Sequence, residues 1–241
     1  MKTEIKIFNE YVKKFDLKVK ELMYKYHHTF RVMDICEEIA NDLGLSDNDV
    51  YLAKLCGLLH DIARFKQWTQ FKTYKDIDSF DHGDYGYKIL KENDFIKQFV
   101  QDEEEISIVL DSVKYHNKLI VPIITEKNML FSNIVRDADK LDIMSTQGNQ
   151  IKDNEIRLNE KMLNSIYNKE ICKNKDVTTE IDHIIRMLSW VFDFNFKYSY
   201  KYLIENKIIE QKFNLLEIYG ETEEIKKLKQ FINERIGEKL C

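Results

Sequence analysis

Six side chains with nitrogen or oxygen donors stand out in the first 140 positions: His28, His60, Asp61, His82, His116 and Asp139. Imidazole nitrogen and carboxylate oxygen together suit borderline divalent metals. No thiol belongs to the set, which disfavours a structural zinc site and favours iron, manganese or catalytic zinc. The inventory suits two divalent ions sharing a bridging carboxylate. Only His60 and Asp61 are adjacent. The others lie too far apart for a local motif of the HExxH kind, so spacing alone does not bring them together. Taken alone, His60 and Asp61 also read as a hydrogen-bonded structural pair.

Such donors need helices that start or stop beside them. Leu55, Leu58, Leu59 and Ile62 recur at i, i+3, i+4 and i+7, one buried helical face. His60 and Asp61 lie beside that face and are held near the core. Ser46 is the expected N-cap, with Asp49 near the positive end of the helix dipole. Upstream, Ile7, Tyr11, Phe15, Val19 and Leu22 predict one amphipathic helix over 5–25. The doublet His27-His28 follows. Val32, Ile35, Cys36, Ile39, Ala40 and Leu43 then predict a second helix, stopped by Gly44. Residues 64–80 mix Gln67, Trp68, Gln70, Phe71, Thr73 and Tyr74 without a period; they read as a substrate-facing loop or a surface crossover. Asp81 caps a helix through Tyr85, Ile89 and Leu90. Glu103, Glu104 and Glu105 open a helix over 103–116, and residues 117–128, with Pro122, form a connection. Residues 129–147 return to helix, with Ile134, Ala138 and Leu141 inward and Asp137, Asp139 and Asp142 along it. Helices over about 155–168, 178–205 and 222–238 carry no clustered ligands. The aromatic run from Trp190 to Tyr202 reads as core or dimer surface.

One proline and seven glycines in 241 residues leave few breakers and favour long helices. Nothing requires a strand, so the fold class is all-α. Hydrophobic residues make up 44% of the chain, enough for a sizeable core. Residues 1–150 read as that core. Residues 151–241 read as a C-terminal helical extension of the same globular unit, because no proline- or glycine-rich linker separates them. Lys and Arg number 37 against 42 Asp and Glu, with no basic block, which argues against a nucleic-acid partner. No apolar run reaches the length of a membrane span and no signal peptide is visible, so a cytoplasmic protein is expected. Cys36, Cys56, Cys172 and Cys241 are far apart and form no CxxC; Cys36 and Cys56 read as reduced core thiols.

The order His…His-Asp…Asp resembles the HD superfamily of metal-dependent phosphohydrolases over roughly residues 25–147. His28-Thr29-Phe30-Arg31-Val32 is similar to its first element, and Leu58-Leu59-His60-Asp61-Ile62-Ala63-Arg64-Phe65 to the doublet that names it. Arg136-Asp137-Ala138-Asp139-Lys140-Leu141-Asp142 is similar to the last, with Asp139 in the ligand position. Asp81-His82-Gly83-Asp84-Tyr85-Gly86 and Val113-Lys114-Tyr115-His116-Asn117 look like the extra histidine elements of the binuclear branch. The Gly-Tyr-Pro signature of the cyclic-di-GMP enzymes is absent, since Lys88 follows Gly86-Tyr87. His27 and His183 match nothing.

The resemblance implies an HD helical bundle with two divalent metals, iron, manganese or zinc, with magnesium or nickel as further candidates. Asp61 would bridge them; His28, His60 and Asp139 would hold one, and His82 and His116 the other. Water activated to hydroxide would attack phosphorus in a small nucleotide or other phosphate compound. Catalytic roles fall to Asp61 and Arg64. Arg31, Arg64, Lys118 and Lys140 are the candidate substrate cations, an ion pair with an aspartate being the plain alternative for Arg64. Asp137 and Asp142 would support ligand histidines. The alternatives are a di-iron HD oxygenase and a silent nucleotide-binding scaffold. A homodimer is left open.

Overall fold

A computed structural model describes residues 1–148, 158–218 and 222–241. The chain divides into two compact units, Met1–Asp139 and Lys140–Cys241. Among the described residues every regular element is helical, as the breaker-poor sequence leads one to expect. None of these helices is long and apolar enough to cross a membrane.

In the first unit α1 (Lys2–Val12) and α2 (Lys20–Asp42) replace the single helix expected over 5–25. The break has a local cause. Asp16 Oδ1 accepts from the Lys18 backbone N–H at 3.0 Å, an Asx turn that competes with helix. α2 ends where expected: Gly44 is left-handed at φ +67°, and Leu45 N–H reaches back to Ala40 O in a Schellman arrangement. α3 (Asp47–Leu59) starts at Ser46, whose Oγ accepts from Asp49 N–H. α2 and α3 pack along much of their length. Gly57 permits the contact, because a Cβ there would lie 2.8 Å from Met33 Cα.

The stretch over 64–80 corrects the expectation of irregular chain. Arg64–Phe71 is a helix, α4, and Asp76–Asp78 a short 3-10 turn. Phe65 and Gln67 turn inward from α4 and are fully buried. The mixed polar and aromatic composition masked this face, because one of its two buried residues is a glutamine. α5 (His82–Lys91) is capped by Asp81 and α6 (Glu103–Tyr115) by Asp102. They pack closely at Gly83, where a Cβ would meet Lys114 O at 2.6 Å. α7 (Glu126–Thr146) follows the connection that contains Pro122.

In the second unit α8 (Glu160–Tyr167) covers the described part of the helix expected over 155–168; residues 155–157 lie outside the described residues. The helix expected over 178–205 is two, α9 (Glu180–Ser189) and α10 (Lys197–Glu205). Between them Tyr200 Oη donates to Val191 O at 3.0 Å and Phe194 O at 3.3 Å, which binds an irregular turn into the core. Trp190, Phe194 and Tyr200 are buried there, so this part of the aromatic run is core. α11 (Ile208–Glu217) was not legible as a separate element, and α12 (Glu223–Leu240) starts at Thr222 as an N-cap. Cys36 and Cys56 are buried free thiols of the first unit.

Candidate metal centre

Five helices of the first unit bring the six donors together. His28 sits inside α2, not near a helix end. His60 is the C-cap of α3 and Asp61 follows it. His82 opens α5, and His116 is the C-cap of α6. Asp139 lies on α7. All four histidines and Asp61 are buried, and the Asp139 side chain, at 21%, is the most exposed of the six.

Local backbone chemistry sets the rings. His60 Nδ1 lies 2.7 Å from Gly57 O, and His116 Nδ1 lies 2.8 Å from Val113 O. A carbonyl only accepts, so Nδ1 donates in both and Nε2 of the neutral ring carries the lone pair. The device is the same twice: a histidine at the end of a helix, held by the carbonyl three residues back. His82 Nδ1 donates to Asp76 Oδ2 at 2.6 Å with the same result.

The Nε2 atoms then face one another in two pairs. His28 and His60 Nε2 are 3.3 Å apart, and His82 and His116 Nε2 are 3.0 Å apart. Asp61 divides its oxygens between the two pairs. Oδ2 is 3.4 Å from both His28 and His60 Nε2. Oδ1 is 3.6 Å from His82 Nε2 and 3.7 Å from His116 Nε2. Asp139 Oδ1 joins the first pair, 3.1 Å from His28 Nε2, and is a buried acceptor without a hydrogen-bond donor.

This donor set fits divalent cations. The Nε2 lone pairs of His82 and His116, 3.0 Å apart, repel unless a positive centre lies between them. Two groups, His28–His60–Asp139 and His60–Asp61–His116, have donor atoms close enough to hold an ion. The titration behaviour agrees. Burial alone would push the His60 imidazole down, yet the Asp61 and Asp139 carboxylates hold it up to about 10, so this point favours positive charge. His82 goes the other way: burial and the Arg64 guanidinium push it down to about 4, leaving a neutral ring able to donate. Asp61 would be raised by burial, but the nearby Lys25 and His60 charges hold it well below the usual carboxylate range.

A ring of residues that sequence reasoning did not assign supports these donors. Lys25 Nζ lies 2.6 Å from Asp61 Oδ2, both side chains buried. Asp76 Oδ2 takes His82 Nδ1 and, at 3.2 Å, Asn117 Nδ2, while its Oδ1 takes Arg64 and Gln67. Gln67 Nε2 also donates to Ser79 Oγ and Phe80 O, drawing the segment after α4 towards the centre. Tyr74 Oη donates to Glu21 O and fixes the same segment to α2. Lys25 was detectable in principle, since it stands one turn before His28 at i−3. Asp76 had no such signal, because it lies in the part of the chain without a period.

The expected cations have partners within the protein. Arg64 Nε is 3.4 Å from Asp61 Oδ1, and its Nη1 donates to Gln67, Tyr74 O and Asp76. Lys118 pairs with Asp81 at 2.6 Å and Asp84 at 2.9 Å. Arg31 lies 5.8 Å over the Tyr24 ring, which stacks on His28. Lys140 pairs with Asp193 inside the second unit. Asp137 is fully buried in the first unit, and Asp142 is buried in the second. His183 lies beside Arg186 in the second unit.

The family model described as HD domain matches residues 26–144, a span that contains all six donors. No curated protein and no solved structure matches the chain. With the five elements in order and their donors gathered in one buried cluster, residues 26–144 are an HD domain, the domain of the HD superfamily of metal-dependent phosphohydrolases.

Proposed function

We propose that this protein hydrolyses a phosphoester or phosphoanhydride bond in a small phosphate compound, a nucleotide being the leading candidate, at a binuclear centre. The observation that carries the reading is the division of Asp61, with one carboxylate oxygen towards His28 and His60 and the other towards His82 and His116. A carboxylate so placed would be shared by two cations. His28, His60 and Asp139 would hold the first and His82 and His116 the second. Divalent metals there supply Lewis acidity to phosphoryl oxygens and lower the pKa of water towards neutrality. The protein's part is orientation. Gly57 O, Val113 O and Asp76 fix three imidazole rings, and Arg64 holds Asp61 to the segment after α4. Substrate would approach at Asp139, the most exposed of the six side chains.

The test is hydrolysis by metal-reconstituted protein of dinucleoside polyphosphates, cyclic nucleotides and nucleoside mono- and triphosphates, in air and under nitrogen. Hydrolysis independent of oxygen, with solvent oxygen recovered in the phosphate product, supports the reading. Asp61→Asn should then lower kcat/KM by at least about 10²-fold, since Lewis-acid stabilisation is worth several kcal/mol. Oxygen uptake without phosphate-bond cleavage would move the protein to the di-iron oxygenases. Nucleotide binding without turnover at full metal content would make it a scaffold.

A further inference from the structure

We infer that Lys25 is a phosphate-binding residue of the centre, its ammonium taking a non-bridging oxygen of the substrate's phosphoryl group. The inference rests on the phosphohydrolase reading and names a residue outside the five elements that define the site. Lys25 precedes His28 by three positions on α2, so both project from the same face. Its side chain is buried, with the residue 6% exposed, and Nζ lies 2.6 Å from Asp61 Oδ2. An ammonium carries three donors. Among the described residues Asp61 is the one hydrogen-bond acceptor of Nζ, and the Tyr74 ring lies 5.6 Å away. Buried charged groups are ordinarily both paired and hydrogen-bonded. Here at least one N–H of a buried cation has no acceptor among the described residues, and it stands beside the carboxylate that fronts both histidine pairs.

Arg64 provides the contrast. It is the other cation on Asp61 and also lies 5.6 Å from the Tyr74 ring. Its Nη1 has three acceptors, Gln67 Oε1 at 2.6 Å, Tyr74 O at 2.7 Å and Asp76 Oδ1 at 3.1 Å. Arg64 therefore holds the architecture, whereas Lys25 keeps donors in reserve. A compact charge on a flexible four-carbon stem suits an oxygen whose position changes during a displacement at phosphorus. The Tyr74 ring covers one side of the ammonium and Asp61 orients it, which leaves its remaining donors for an anionic ligand.

The measurement is titration of inorganic phosphate into the metal-loaded full-length chain, for wild type, Lys25→Gln and Lys25→Arg, with metal content determined on the same samples. Gln retains an N–H for Asp61 without the charge, and Arg retains the charge if the Gln variant folds poorly. The expected result is unchanged metal content, phosphate binding about 10–100-fold weaker in Lys25→Gln, the range of one charge-assisted hydrogen bond, and substantial recovery in Lys25→Arg. Wild-type phosphate affinity in a fully loaded Lys25→Gln protein would overturn the assignment. So would metal loss in that variant with unchanged affinity at the sites still loaded, because Lys25 would then serve only to neutralise Asp61. Lys25-dependent phosphate binding in a protein that cleaves no phosphate ester would support the assignment while removing the hydrolase reading.

Discussion

At the residue scale the centre is a problem of where protons sit. Four imidazoles crowd one buried space, and three are oriented by an acceptor at Nδ1: two backbone carbonyls and the Asp76 carboxylate. The carbonyl partners follow from where His60 and His116 fall on their helices. Asp76 comes from the separate 3-10 turn six residues before His82, and that makes it the separable part of the design. Burial alone would raise its pKa, but His82 and Arg64 hold the carboxyl well below its usual range, so it is ionised where His82 needs an acceptor. Asp76→Ala should weaken binding of the metal that His82 and His116 would hold by about 10–100-fold and leave the His28 side less affected. Competitive metal titration checks this; equal loss at both sides would mean that Asp76 supports the fold, not the ring. The six donors were legible as a set from their types and order, but their convergence was not. Sequence order contains no distances, and the supporting Lys25, Asp76 and Gln67 bear no motif.

At the element scale two glycines bring the donors into range. Gly57 lets α3 approach α2, which carries His28. Gly83 lets α5 lie on α6, setting His82 against His116. A methyl at Gly83 would stand 2.5 Å from Asn117 Oδ1 and 2.6 Å from Lys114 O, and the second of these is backbone. Gly83→Ala should cost about 1–3 kcal/mol and lower metal retention, as overpacking forces the helices apart. Gly237→Ala is the control: it lies inside α12 with nothing within 4 Å of the added methyl, and should stabilise by about 0.5–1 kcal/mol. Thermal unfolding of both variants tests the pair; a neutral Gly83→Ala would show that the α5–α6 contact is soft. Helices with a strong apolar period, α3, α6 and the C-terminal half of α2, were readable before the structure. The failures came where a polar group competed with the helix, as Asp16 does before α2, or where a tertiary contact broke a continuous pattern, as Tyr200 does between α9 and α10.

At the scale of the molecule both groups of possible metal ligands among the described residues fall in the first unit. The second unit has its own charge signature. Lys212 is fully buried and donates to Gln147 O and Gly148 O, just beyond the end of α7, where helix carbonyls favour a cation. Burial lowers its pKa from 10.5 to about 8. The unfolded chain therefore binds more protons than the folded one between these values, and stability rises with pH across that window. Wild type should gain stability relative to Lys212→Met from pH 8 to 10.5 and show no relative change between pH 6 and 7; denaturant unfolding across the range checks it, and a flat difference throughout would contradict it. None of this was visible in a sequence where Lys212 is one basic residue among 37.

The number of metals distinguishes a binuclear from a mononuclear centre. The most direct measurement is metal content per chain in protein purified without a chelating tag, for wild type and for the His82→Ala, His116→Ala double variant. A carboxylate shared by two sites gives two metals in wild type and one in the double variant. One metal in wild type, unchanged when both histidines are removed, would contradict the binuclear centre and leave His82 and His116 as pocket residues beside a single ion.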